Sequence, residues 1–107
     1  MFRVPPHGVN RNETFRVEVA IADASGDVVP RSGVEIYVGV FREGNDVPSN
    51  TVLVGDRFVE TRDGIAVFNL SINDSGRYRM RALTDELPEL GPHGPEPWLY
   101  SGFFEVR

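Results

Sequence analysis

Cysteine and lysine are both absent from the chain. Without cysteine there is no thiol nucleophile, no thiolate metal site and no disulfide framework; the compartment stays open, because secreted proteins need not carry cystines. Without lysine there is no Schiff-base chemistry and no phosphate-binding P-loop lysine. All 11 basic residues are arginine. Long apolar runs are missing as well: nothing approaches the ~18 residues of a membrane span, and the opening stretch lacks the apolar core of a signal peptide. The cationic surplus that would neutralise a phosphate backbone is also lacking, with a formal charge of -5 and a pI near 4.9, which argues against nucleic acid as partner. What is present is 107 residues at 11.9 kDa, the size of one domain spanning 1–107. A chain of this size buries enough apolar surface to fold without metal or disulfide help.

The hydrophobic pattern has a period of two. Phe15, Val17, Val19 and Ile21 fall on one face of a strand, and Asp23 to Asp27 carries the Asp, Ser and Gly of a turn. Val34, Ile36, Val38 and Val40 share one face of the next strand while Glu35, Tyr37, Gly39 and Phe41 share the other, so that strand is expected to be covered on both sides. The β-branched run from Thr51 to Thr61 is interrupted by Gly55-Asp56 and fits either a tight hairpin or one bulged strand. Asp63-Gly64 signals a turn before Ala66, Phe68, Leu70 and Ile72, which share a face. Tyr78, Met80 and Ala82 then alternate with Arg77, Arg79 and Arg81, and a last strand places Phe104 and Val106 inward. With no helical window and strands closely spaced along the chain, these segments predict an all-β sandwich of about seven strands. Phe15, Val17, Val19, Ile36, Val38, Phe68, Leu70, Met80, Phe104 and Val106 are its expected core.

Asp74-Ser-Gly-Arg-Tyr78-Arg-Met80-Arg-Ala82 resembles the E-F corner and F strand of immunoglobulin-like domains. In that family the tyrosine hydroxyl bonds back to the backbone just upstream, which gives Tyr78 a structural corner role and segment 73–75 as its acceptor. Met80 stands where antibody domains have cysteine. Val19 to Pro30, Gly33 to Ile36, Thr61 to Leu70 and Phe104 to Val106 follow in an order and spacing similar to bacterial immunoglobulin-like domains of the invasin and intimin type, covering residues 14 to 107. The resemblance implies an immunoglobulin-like Greek-key sandwich, with strand A and its lead-in over 1–13 and a long F-G loop over 84–99. It further implies a non-catalytic extracellular or cell-surface module, a structural or adhesive unit of a larger protein. Neighbouring domains of the same polypeptide would be its partners, with a protein or glycan ligand besides, and no membrane insertion of this segment. A carbohydrate-binding accessory domain of a secreted hydrolase is the alternative, using aromatics among Trp98, Tyr100, Tyr37 and Phe41.

Few residues carry candidate chemistry. Trp98, Asp85 and Glu86 on the acidic, proline-rich segment 84–99, with Tyr100 just beyond it, are the candidate partner-binding set, and this segment is expected to distinguish the domain from a plain spacer. Alternatively Trp98 and Tyr100 fold down to cap the open end of the sandwich. Asp23, Asp27 and Asp63 are candidate calcium ligands, joined by Asp85 and Glu86, although Asp23-x-x-Gly-Asp is not a complete calcium loop and turn-forming Asp is commonplace. No cofactor is otherwise called for. His7 and His93 both lie in Pro-His-Gly and fall short of a zinc signature. No Gly-x-Ser-x-Gly is present, and nothing in spacing selects a carboxylate pair among 16 acids, so no catalytic residue is assigned. The row Arg77, Arg79, Arg81 reads as a solvated face neutralised by cross-strand carboxylates, or as a binding strip for an anionic partner.

Overall fold

The computed structural model describes residues 1–23, 25–84 and 98–107. Among them run β1 (Phe2–Val4), β2 (Phe15–Ala20), β3 (Glu35–Arg42), β4 (Leu53–Val54), β5 (Phe58–Glu60), β6 (Ile65–Ile72), β7 (Gly76–Leu83), β8 (Trp98–Tyr100) and β9 (Phe104–Val106), with one 3-10 turn at Asn50–Val52. Two antiparallel sheets result. One has the order β1-β2-β6-β4; the other has the order β5-β3-β7-β8, with β9 also paired to β7. No helix among the described residues is long and apolar enough to cross a membrane.

Alternation positions the core. Phe15, Val17 and Val19 of β2 pair in register with Leu70, Phe68 and Ala66 of β6, and all six are buried. From the opposite sheet, Ile36, Val38 and Val40 of β3 and Tyr78, Met80 and Ala82 of β7 close the same cluster. Every residue expected in the core belongs to it. The two-sided reading of residues 34–41 also holds in part, since Gly39 and Phe41 are buried on the outer face and Tyr37 is half-buried there.

The run 51–61 is neither a hairpin nor a strand within one sheet. Its first part, β4, pairs with β6 of the first sheet, and its second part, β5, pairs with β3 of the second. The chain changes sheets at Gly55, which has φ +116° and sits so close to β6 that a Cβ would lie 2.6 Å from the Asn69 carbonyl oxygen. Beyond β5, Asp63 (φ 52°) and Gly64 (φ 85°) form the two-residue turn that Asp-Gly favours, closed by reciprocal Arg62 and Ile65 backbone bonds of 2.8 and 3.1 Å. Buried Thr61 ties this turn to the preceding loop: its hydroxyl donates to the Arg31 carbonyl at 2.7 Å and accepts from the Val34 N–H at 3.1 Å.

β8 and β9 follow one another along β7 with a single extra residue between them. Arg81 opposes Tyr100 and Tyr78 opposes Phe104, so three steps on β7 match four on its partner, a bulge. Ser101 supports it, its hydroxyl accepting the Met80 N–H at 2.9 Å while its own N–H donates to the Met80 carbonyl at 2.8 Å.

At the turn into β7, the fully buried Tyr78 donates its hydroxyl to the Asp74 carbonyl at 2.9 Å, within the 73–75 segment expected from the sequence. Arg42 lies over the ring at 5.1 Å, donates to the Ser75 carbonyl at 3.2 Å and pairs with the Asp74 carboxylate. Burial raises the phenol pKa; the Asp74 charge pushes the same way and Arg42 opposes it. Tyr78→Phe is expected to cost on the order of 1 kcal/mol through the lost hydrogen bond. Urea melts of the two proteins check this, and equal midpoints would deny the bond a part in holding the corner.

Candidate functional site

The outer face of the second sheet carries what the core does not use. Because β3 and β7 are central strands with their aliphatic positions turned inward, the alternate positions Tyr37, Phe41, Arg77, Arg79 and Arg81 must emerge together on the other side. β5 adds Phe58 directly opposite Tyr37, and β8 adds Tyr100 directly opposite Arg81.

These groups assemble as an alternation of cations and rings. Arg81 lies over the Phe41 ring at 5.0 Å, and Phe41 meets Tyr100 at 6.0 Å between centroids with a 58° tilt. Arg79 lies over Tyr100 at 4.2 Å and near Phe103 at 5.8 Å, and Arg77 lies over Phe103 at 5.4 Å. These contacts run diagonally across the ladder, where long side chains reach one another. They bury Phe41 on a sheet face turned away from the core. A second group lies on the β5 side, where Tyr37 and Phe58 approach to 5.4 Å with a 35° tilt and Arg57 lies over Phe58 at 5.4 Å. Between the two groups is a shallow depression of about 220 Å³ lined by Tyr37, Gly39, Asn50, Arg57, Phe58 and Arg81, among others. Gly39 keeps its floor open to Asn50, whose amide oxygen sits 2.7 Å from where a Cβ would stand and accepts the Val40 N–H at 3.0 Å.

The expected neutralisation by carboxylates occurs at one position of the row. Arg77 pairs with Glu43 at 2.7 Å. Among the described residues Arg57, Arg79 and Arg81 have no carboxylate partner and stack on rings instead. A guanidinium over a ring keeps its charge, and each such contact is worth ~0.5–1 kcal/mol where exposed.

Of the residues singled out in the sequence, Tyr100 belongs to this face and is 39% exposed, so it does not cap the open end of the sandwich. Trp98 contributes its backbone to β8 opposite Leu83, while its side chain lies outside the described structure. Asp85, Glu86 and His93 fall outside the described residues, as does the rest of 85–97. Among the described residues no three His, Asp or Glu side chains, Asp23, Asp27 and Asp63 included, are placed to share a metal ion. Asp23 serves a turn, accepting the N–H groups of Ser25 at 2.9 Å and Asp27 at 3.0 Å on one carboxylate oxygen. Asp63 occupies the first position of its hairpin turn, with its N–H on the Ser32 hydroxyl at 2.9 Å. Phe58, Arg57 and Phe103 were not foreseen as members of the face. Phe103, 45% exposed, reaches Arg77 and Arg79 from the bulge between β8 and β9, which a strict two-residue period does not register.

No protein-family model matches the chain, and no characterised protein matches it in sequence.

Proposed function

We propose that the chain is a non-catalytic immunoglobulin-like module of the invasin and intimin type, a structural or adhesive unit of a larger secreted or surface protein. The observation that carries the adhesive reading is the outer face of the second sheet, where Phe58, Tyr100 and Phe103 are exposed at 56%, 39% and 45% among stacked arginines. Arginine and aromatic residues are the types that dominate the energetics of protein contacts. The immunoglobulin-like reading draws support from the strand courses. If β4 with β5 is one run divided between the sheets, and β8 with β9 one bulged strand, seven courses remain in the order A-B-E-D against C-F-G, the fourth course also reaching strand C. The Tyr78 corner adds to it.

A carbohydrate-binding accessory domain is the weaker reading. Stacking on sugar rings favours coplanar aromatics presenting a flat platform, whereas the ring pairs here tilt by 35° and 58°. The module reading is tested on the full-length gene product in its source cells, carrying an epitope tag next to this segment. External protease is expected to remove the tag from intact cells, or the tag is expected in the medium. A tag that is protected until the cells are broken would overturn the extracellular assignment.

A further inference from the structure

We infer that the outer face of β3 and β7, flanked by β5 and β8, docks an extended acidic polypeptide. Its carboxylates at alternate positions would meet Arg79 and Arg81, one of them seated in the depression between Arg57 and Arg81. The inference rests on the module reading and adds the chemistry of the partner.

Charge is the first argument. The chain carries a net charge of -5, and on this face Glu35 opposes Glu60 at one end and Glu105 opposes Arg77 at the other; between them Arg57, Arg79 and Arg81 have no carboxylate partner among the described residues. A local cationic strip on an acidic molecule selects an anion at that place and repels polyanions elsewhere. Geometry is the second. Successive outward positions on β7 stand two residues apart, ~6.6–6.8 Å along the strand, which is also the repeat of side chains on one face of an extended peptide. An acidic residue at every second position therefore meets Arg79 and Arg81 in step. The third is the state of the cations. Held over Phe41 at 5.0 Å and Tyr100 at 4.2 Å, Arg81 and Arg79 are restricted in position before a ligand arrives, so less side-chain freedom is lost on binding. Their forked N–H edges suit planar carboxylates. A sulfated glycan is the less fitting anion: it offers tetrahedral sulfates and leaves the exposed rings of Phe58 and Phe103 without an apolar neighbour, whereas aliphatic side chains of a polypeptide cover them.

The test uses the whole 107-residue chain with two short synthetic peptides, one alternating Glu and Val and one alternating Gln and Val. Affinity is read by fluorescence anisotropy, and the site is read from the arginine Nε–H signals in NMR spectra. The Glu peptide is expected to bind at least about tenfold more tightly than the Gln peptide, to shift the signals of Arg57, Arg79 and Arg81, and to weaken as salt is raised. Arg79→Gln with Arg81→Gln is expected to lose about tenfold or more, with its fold verified by unchanged amide spectra away from the face. Arg16→Gln, on the outer side of the other sheet, is expected to bind as the parent does. Equal binding of the two peptides, no binding of either, or shifts confined to other arginines would overturn the inference. Tighter binding of a heparin-type oligosaccharide than of the Glu peptide would overturn it in favour of a glycan. Each of these outcomes leaves the protease experiment free to decide the module reading separately.

Discussion

Gly64→Ala is expected to destabilise the domain by roughly 2–5 kcal/mol, a large effect for one added methyl group. Two costs combine. At φ +85° a residue with a side chain forfeits ~1–2 kcal/mol against its preferred backbone conformation. The new Cβ would also lie 2.1 Å from the Val29 carbonyl oxygen and 2.9 Å from the Val29 carbonyl carbon, and backbone cannot swing aside as a flexible side chain can. Nor can the turn retreat freely. The Gly64 N–H donates to the Arg31 carbonyl at 3.0 Å and its carbonyl accepts the Ile21 N–H at 2.9 Å, so any relief stretches the bonds that tie the turn to Ile21 and Arg31. Gly26→Ala is the matched control. Gly26 has nearly the same φ, +84°, with nothing within 4 Å of its Cβ position, so only the conformational cost of ~1–2 kcal/mol is expected there. Urea melts of both variants separate the two costs. Equal losses would mean that the close approach to Val29 contributes nothing.

That pair of glycines also marks what a sequence discloses. Asp63-Gly64 and Asp23 to Asp27 both read as turns, because Asp, Ser and Gly carry turn chemistry in their own side chains and backbone. That one of the two glycines is pressed against Val29 is a long-range fact with no local trace. The strands at 15–20, 65–72 and 76–83 were legible for a related reason: each has one buried face, and a two-residue period with one apolar phase leaves little freedom in register. The run 51–61 was not legible, since its residues are apolar on behalf of two different sheets and the switch at Gly55 resets the phase. The candidate face was half legible. Tyr37 and Phe41 stood out as the second side of their strand and Arg77, Arg79 and Arg81 as a row, but that the two sets meet depends on β3 pairing with β7, which periodicity does not specify. Hence the row was expected to find carboxylates, and the structure gives it mostly rings.

The two kinds of aromatic position separate under mutation, and Phe68→Ala carries the other large expected effect. Phe68 has no exposed surface and lies in the middle of β6, directly opposite Val17, with the inward residues of the facing sheet closing the same cluster. Removing its ring loses the transfer energy of the buried atoms and leaves a cavity that two hydrogen-bonded sheets cannot collapse to fill, a combined cost of ~3–5 kcal/mol. Set against the ~5–15 kcal/mol stability of an ordinary domain, that takes away a third or more of the total in most cases. Phe58→Ala removes a ring of the same size from a position that is 56% exposed, in contact with Tyr37 and Arg57 at the surface. It is expected to cost ~1 kcal/mol or less, the scale of one exposed ring pair, while weakening capture of the acidic peptide. Thermal melts paired with the anisotropy assay read both quantities on the same samples. A Phe68→Ala midpoint equal to that of the parent would mean that β6 does not turn this face inward. A Phe58→Ala loss as large as that of Phe68→Ala would make the outer rings part of the structural core and leave the docking face without its apolar component.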